Sequence, residues 1–417
     1  MTTTVTAFST NLIPSSANRP GDDPIFALNA EAVRRSKAGE SIVNATLGAL
    51  MEDDGTLAVM PSVIGAIERV PLKKAASYAP IAGDAEFLRA VVNDVYENGP
   101  LSEQSIAVAT AGGTGALHHA VTNFLEPGQA LLTTSFYWGP YATIAAETRR
   151  AVQTFEMFDA AGRFHVAAFE AALMRQMEEQ GRALVFLNSP CHNPTGFSLD
   201  DAEWSAVADV ARRAAERGPL AFLIDFAYAR FGSRASQGFV KHIARIAGPA
   251  VVLVAWSASK SFAQYGSRVG ALIATHPERA ERERISNALS FSCRGTWSNC
   301  NHLGLLAITD LLAEPAQRAR ADQERSRLIA LLDERVAAFN REAAAAKLRH
   351  PRYEGGFFVA VFTPDAETTA RTMREEGVFV VPLKGAVRVA LCSTPVRDVP
   401  RVVQALQRGI QAAVEKR

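Results

Sequence analysis

What this chain lacks narrows its identity before any motif is read. Neither charge dominates, since 44 basic residues stand against 43 acidic ones for a formal net charge of +1. No global field therefore draws it to nucleic acid or to an acidic membrane surface. Cysteine is scarce. Cys191, Cys293, Cys300 and Cys392 are the only four in 417 residues, with no C-x-x-C pair, which argues against a disulfide scaffold and for a reducing compartment. No apolar run approaches the ~20 residues that cross a bilayer. Residues 1–6 carry neither a basic stretch nor an apolar one, so no secretory leader is read and the expected location is the cytoplasm. Internal repeats are missing, as are low-complexity segments other than Ala-rich helix.

What is present is core-forming. Hydrophobic residues make up 48% of the chain, enough for a large interior and better suited to two domains than to one or three. The first ~20 residues, rich in Thr, Ser, Asn and Pro, read as a mobile arm. A helical pattern covers 23–40, and an irregular Gly- and Pro-punctuated stretch runs on through Gly83. Strands are expected at 105–110, 130–134, 183–187, 220–224 and 251–255, with helices at 115–125 and 198–217. Short apolar runs alternating with helices specify an α/β fold: a mostly parallel sheet flanked by helices on both faces. A long helix over 315–348, with Leu328, Leu331, Leu332, Val336 and Phe339 on one face, leads into a smaller α/β unit. That unit has strands at 357–362 and 387–391, a helix at 366–376 and a last helix from 396. The expected division is an arm at 1–22, a small domain from 23–50 and 318–417, and a large domain at 51–317.

The polar residues of interest fall just after strands, where open α/β sheets bind ligands. Gly112-Gly113-Thr114-Gly115 opens a helix. It reads either as a tight turn or as a phosphate cradle at a helix N-terminus. The run is neither a dinucleotide fingerprint, since His118 stands at the third glycine, nor a Walker loop. The segment Asn188-Ser189-Pro190-Cys191-His192-Asn193-Pro194-Thr195-Gly196 is a loop, and Asn193 is a candidate donor to a cofactor phenolate. His192 and Cys191 lack metal-ligand spacing and read as loop residues. No metal site is expected. Asp225 closes the strand Leu220-Ala221-Phe222-Leu223-Ile224, a costly place for a carboxylate unless it is paired. It reads as a cap, a salt bridge, or a partner for a pyridinium nitrogen, with Tyr228 three residues on. Arg388, in Val387-Arg388-Val389, is either a surface charge or a bidentate carboxylate binder.

Lys260 carries most weight. The apolar run Ala250 to Ala255 delivers it into Trp256-Ser257-Ala258-Ser259-Lys260-Ser261, with Arg268 eight residues on. A primary amine there forms an imine with an aldehyde, and the hydroxyls and guanidinium suit a phosphate. Either cation alone would more often be a surface charge, but combined with the preceding sites they suggest pyridoxal 5′-phosphate (PLP).

Together the motifs resemble the class I aminotransferases of PLP fold type I, and most nearly the aspartate and aromatic amino acid aminotransferases. The family's H-N-P-T-G stands at His192 to Gly196, its D-x-A-Y at Asp225 to Tyr228, and its S-x-S-K at Ser257 to Lys260. Its R-V-G stands at Arg268 to Gly270. Its N-Y-x-P-I-x-G segment matches Ser77 to Gly83, and its R-x-x-Y-S-N-P segment matches Arg294 to Cys300.

The resemblance implies a role for each residue. Lys260 would hold PLP covalently, Asp225 would pair with the ring nitrogen, and Tyr228 and Asn193 would bond the ring oxygen. Trp138 would stack on the ring, and Gly113, Thr114, Ser257 and Arg268 would hold the phosphate. Tyr78 would reach the phosphate in a neighbouring subunit, which implies a homodimer with shared sites. Gly48 and Arg388 would bind the substrate α-carboxylate beside Asn193 and Trp138, and Arg294 would reach across the dimer to a distal carboxylate. Five positions depart from the family pattern: Gly112 for a serine, Tyr141 for the histidine behind the aspartate, Pro140 for an asparagine, and Trp297 and Cys300 near Arg294.

The expected activity is transfer of an amino group between an L-amino acid and a 2-oxo acid. Glutamate and 2-oxoglutarate would form one pair, and aspartate or an aromatic amino acid would give the other. A PLP-dependent lyase, decarboxylase or oxidase on the same scaffold is the alternative within the cofactor class. A nucleotide-binding dehydrogenase is the alternative outside it.

Overall fold

A computed structural model describes residues 10–21, 24–232 and 238–416. The larger sheet has seven strands: β1 (Ser105–Ala111), β2 (Ala130–Thr134), β3 (Ala151–Phe155), β4 (Ala183–Asn188), β5 (Leu220–Asp225), β6 (Val251–Ser257) and β7 (Val269–Thr275). Their spatial order is β1-β7-β6-β5-β4-β2-β3. Only β7 is reversed, antiparallel to both β1 and β6, and the remaining pairs are parallel. Alternate side chains of each strand enter two cores. Leu184, Phe186, Leu223 and Leu253 pack on one face with helix α1 (Gly112–Phe124), while Val185, Phe222, Ile224 and Val254 pack on the other. Burial on both faces is why these strands are apolar throughout rather than alternating.

The topology has a consequence for chemistry. The carboxyl ends of β1, β2, β4, β5 and β6 lie at one edge of the sheet, and the reversed strand β7 begins there. Ser257 at the end of β6 sits opposite Gly270, and Ala111 at the end of β1 opposite Val269. Arg268 therefore enters the same edge from the amino end of β7.

The smaller sheet is antiparallel, in the order β9-β10-β8, from β8 (Phe358–Phe362), β9 (Val381–Leu383) and β10 (Ala386–Ala390). Val43–Asn44 pairs in parallel with Val378–Phe379, which joins the early chain to the late chain. Helix α2 (Pro315–Ala345) links the two regions. Two of its buried residues are arginines. Arg325 Nε donates to Ser261 O at 2.7 Å, and Arg335 donates to Cys392 O at 2.7 Å and to Met51 O at 2.8 Å. The same helix therefore grips both the lysine turn and the smaller sheet.

The structure corrects the reading of the early chain. The stretch expected to be irregular through Gly83 contains helices at Pro61–Arg69 and Leu72–Ala75. Pro61 sits at the first turn, where its missing N–H costs nothing, so proline here starts a helix rather than breaking one. Strands β3 and β7 add to the expected set. Of the expected arm, residues 1–9 and 22 lie outside the described residues, and Pro14–Ala17 forms a single helical turn.

Candidate active site

The edge where the strands end encloses a cavity of about 190 Å³. Its lining includes Gly113, Thr114, Trp138, Asn193, Asp225, Tyr228, Ser257, Lys260 and Arg268. Every residue expected to touch the cofactor, apart from Tyr78, thus faces one space. Each arrives from a strand end, because short loops leave a rigid sheet there.

Lys260 sits on the single turn Ala258–Ser261, whose amino end is capped by Ser257 Oγ accepting from Ser259 N at 3.2 Å. Its Nζ lies 5.2 Å from the Tyr228 ring centre and 6.0 Å from that of Tyr265. It makes no hydrogen bond or ion pair with the described residues. Burial lowers its pKa from 10.5 to about 8, Asp225 opposing the shift and Arg268 adding to it. Desolvation favours the uncharged amine, the form that attacks an electrophilic carbon.

Asp225 is buried, and burial raises its pKa against opposing hydrogen bonds from Tyr141 and from the Ala227 N–H. Tyr141 Oη donates to Oδ2 at 2.6 Å, and Ala227 N donates to Oδ1 at 3.1 Å. The Tyr141 ring meets Trp138 edge to face at 5.9 Å and Phe186 at 5.2 Å. The residue that departs from the histidine pattern therefore fixes the carboxylate and braces the indole at once. Asn193 Nδ2 lies 3.4 Å from Tyr228 Oη, and Asn193 N donates to Asn188 Oδ1 at 2.6 Å. Burial raises the Tyr228 pKa well above 10.

Arg268 brings a cation to the same cavity. Arg268 Nη1 donates to Ser259 Oγ at 3.2 Å and to Tyr265 O at 3.0 Å. Gly112, with φ +66°, lies against this guanidinium so closely that any Cβ there would run into it. Helix α1 points its amino end at the same place, as an anion site requires.

The remaining expected residues lie elsewhere. Arg388, on β10, is buried, donates from Nη2 to Thr46 O at 2.6 Å, and sits 4.4 Å from the Phe358 ring centre. It bears electrostatically on Tyr228, whose phenol it partly stabilises in the charged form. Gly48 packs against the Phe358 ring. Tyr78 is 88% exposed and Arg294, also exposed, bonds Ser298 Oγ at 2.7 Å; neither lines the cavity of this chain. His192 is buried with its pKa lowered to about 3, and Cys191 is buried with its thiol pushed up to about 12. Both pack within the loop, where His192 Nδ1 lies 2.8 Å from Thr195 Oγ1. Among the described residues no group of His, Cys, Asp and Glu is arranged to hold a metal.

Two neighbours carried no sequence signal. Tyr265 accepts from Leu50 N at 2.9 Å, which ties the loop after Gly48 to the lysine. Phe358 contacts Arg388 diagonally across the β8–β10 pair, where Arg388 stands opposite Ala360.

The donor set fits PLP. A desolvated amine, a carboxylate, a phenol, an amide, an indole, and a guanidinium with hydroxyls all line one cavity. These suit, in turn, an aldehyde, a pyridine ring bearing an oxygen, and a phosphate.

Comparison with known proteins points the same way. Residues 41–406 match the family model of aminotransferase class I and II. An aromatic-amino-acid aminotransferase of Pseudomonas aeruginosa is 29% identical over 402 residues, covering 94% of this chain and 97% of that protein. An aminotransferase from Anaerococcus prevotii superposes with a TM-score of 0.91 at 30% identity, over 96% of this chain and 99% of the other. An aromatic amino acid aminotransferase from Burkholderia pseudomallei, covalently bound to pyridoxal phosphate, superposes with a TM-score of 0.79 at 25% identity, over 96% of this chain and all 100% of that one.

Proposed function

This chain belongs to the class I and II aminotransferases and is a PLP-dependent enzyme of that family, and we propose that its Lys260 cavity moves an amino group between glutamate or 2-oxoglutarate and a second pair, aspartate or an aromatic amino acid with its 2-oxo acid. The observation that carries the reading is the buried Lys260 amine, its pKa lowered to about 8, in one cavity with the Asp225 carboxylate. The relatives named for aromatic amino acids and for aspartate support the substrate pair.

Bound in the cavity, PLP supplies an aldehyde carbon for the amine and an electron-withdrawing ring for the substrate's Cα. The chain supplies the rest. Asp225 pairs with the ring nitrogen, held to that task by Tyr141. Tyr228 and Asn193 donate to the ring oxygen, and Trp138 covers the ring. Gly113, Thr114, Ser257 and Arg268 hold the phosphate at the amino end of α1. With the substrate bound, Lys260 Nζ would take the Cα proton. The Arg388 fork and the Gly48 backbone hold the α-carboxylate, which orients Cα toward Lys260.

In this reading the enzyme is a homodimer with shared sites. Tyr78 reaches the partner's phosphate and Arg294 the partner's substrate, at its distal carboxylate. Support comes from large exposed side chains near both: Leu72, Tyr78 and Phe291 are 76%, 88% and 83% exposed. We assign residues 51–317 to the large domain, 23–50 with 318–417 to the small one, and 1–22 to an arm. Four buried free cysteines favour the cytoplasm, and among the described residues no helix is long and apolar enough to cross a membrane.

The test is release of 2-oxo acid from a panel of amino donors with 2-oxoglutarate as acceptor. Glutamate paired with an aromatic or acidic donor is expected to turn over, and Lys260→Ala is expected to abolish turnover. Retained turnover in that variant refutes the assignment.

A further inference from the structure

Phe358 opens strand β8 and is 2% exposed. Four separate segments meet on it. The Arg388 guanidinium lies over its ring, 4.4 Å from the centre. Its Cζ approaches Gly48 so closely that a Cβ there would sit 2.8 Å away. The Tyr228 ring meets it edge to face at 5.7 Å. Its carbonyl oxygen packs against Gly196, which leaves no room for a side chain at that turn. The Phe358 ring thus requires the glycine at position 48, whereas Gly196 is confined by the backbone of Phe358 and by the Tyr353 ring.

The guanidinium also donates from Nη2 to Thr46 O at 2.6 Å. Thr46 and Gly48 belong to one short segment. Ring and segment therefore both hold Arg388, and the ring edge sets how near the segment comes.

We propose that Phe358 is a positioning residue for substrate binding, its face aligning the Arg388 fork and its edge setting the spacing of the Gly48 segment, so that the two groups meet one carboxylate together. The inference rests on the reading of Arg388 and Gly48 as the α-carboxylate site. A long side chain left free must be ordered when substrate binds, which costs about 0.5–1.5 kcal/mol. A ring that orders it beforehand removes that cost, and cation–π attraction holds it there.

The test uses the PLP-loaded enzyme with Phe358→Leu, Gly48→Ala, the double variant and Arg388→Leu. For each, KM and kcat for the amino donor are measured, with the Kd of an unreactive monocarboxylate. Phe358→Leu is expected to raise KM and the carboxylate Kd together by about 2- to 12-fold, with kcat changed much less. Gly48→Ala, in a half-buried loop, presses on the same ring without emptying the core, and is expected to raise the same two constants. In the double variant the added methyl meets a vacated space, so its KM is expected to fall below the product of the two single effects. Independent, multiplying effects overturn the proposal, as does an unchanged KM in Gly48→Ala. Arg388→Leu separates the two layers of the argument. If it leaves the carboxylate Kd unchanged, the assignment of Arg388 fails. If it raises Kd while Phe358→Leu does not, only the role of Phe358 fails.

Discussion

The Lys260 amine is stored in the fold at a cost, and that cost is measurable without turnover. Burial lowers the Lys260 pKa from 10.5 to about 8, so the cofactor-free fold binds this proton less well than the unfolded chain does. At about 1.36 kcal/mol for each pH unit, the charged amine destabilises the fold by about 3 kcal/mol. The sign follows from linkage. Below about pH 8 the group is charged in both states and the full penalty applies; from there to 10.5 the fold has released a proton that the unfolded chain keeps, and the penalty shrinks as that release becomes easier with rising pH; above 10.5 neither state holds it and the penalty is gone. Lys260→Met keeps the apolar stem and removes the amine. Urea unfolding of the cofactor-free proteins is the assay. The variant is expected to be the more stable, and its margin to narrow by about 1 kcal/mol from pH ~7 to ~9 and by about 3 kcal/mol in all by pH ~10.5. Any difference from packing the thioether is independent of pH and drops out. A margin that stays flat across that range would refute the argument that the amine is stored desolvated. A gain in stability on removing a catalytic group is the general pattern of active sites.

Two further outcomes follow from the same geometry. Tyr141→Phe keeps the ring contacts with Trp138 and Phe186 but removes the hydrogen bond to Asp225. A bond to a charged group contributes about 1.5–3 kcal/mol, and this one is already made without cofactor, so the cofactor-free variant is expected to lose about that much stability in urea unfolding, and PLP affinity, read by fluorescence titration, is expected to fall because Asp225 loses a bond that favours its charged form. An unchanged affinity would show that Asp225 does not depend on the phenol. Arg294→Ala is expected to weaken dicarboxylic substrates far more than monocarboxylic ones in steady-state kinetics, whereas equal losses would remove Arg294 from the substrate pocket.

Much of the large sheet was legible because its strands are buried on both faces. Runs such as Leu220 to Ile224 admit little else when helices separate them. Strand β3 was not legible, since Ala151, Val152, Gln153 and Thr154 are half-buried or exposed and carry no continuous apolar run. The helix at Pro61–Arg69 was hidden by a proline that breaks helices inside but suits their first turn. The cavity-lining residues were legible because each follows a strand end in a short motif: Asn193 after β4, Asp225 at the end of β5, and Lys260 after β6.

The sequence alone determined the chemistry: which groups are present, in what order, and that they follow strands. The tertiary structure alone decided how those groups are tuned. Desolvation moves the Lys260 amine to about 8, and no stretch of chain encodes burial locally. Tyr141 reaches Asp225 across 84 positions, and Arg388 reaches Thr46 across 342. Motifs are written in neighbouring residues, so they can be read along the chain. Electrostatics and close packing act through space, and residues far apart in the chain become neighbours only when the sheet forms.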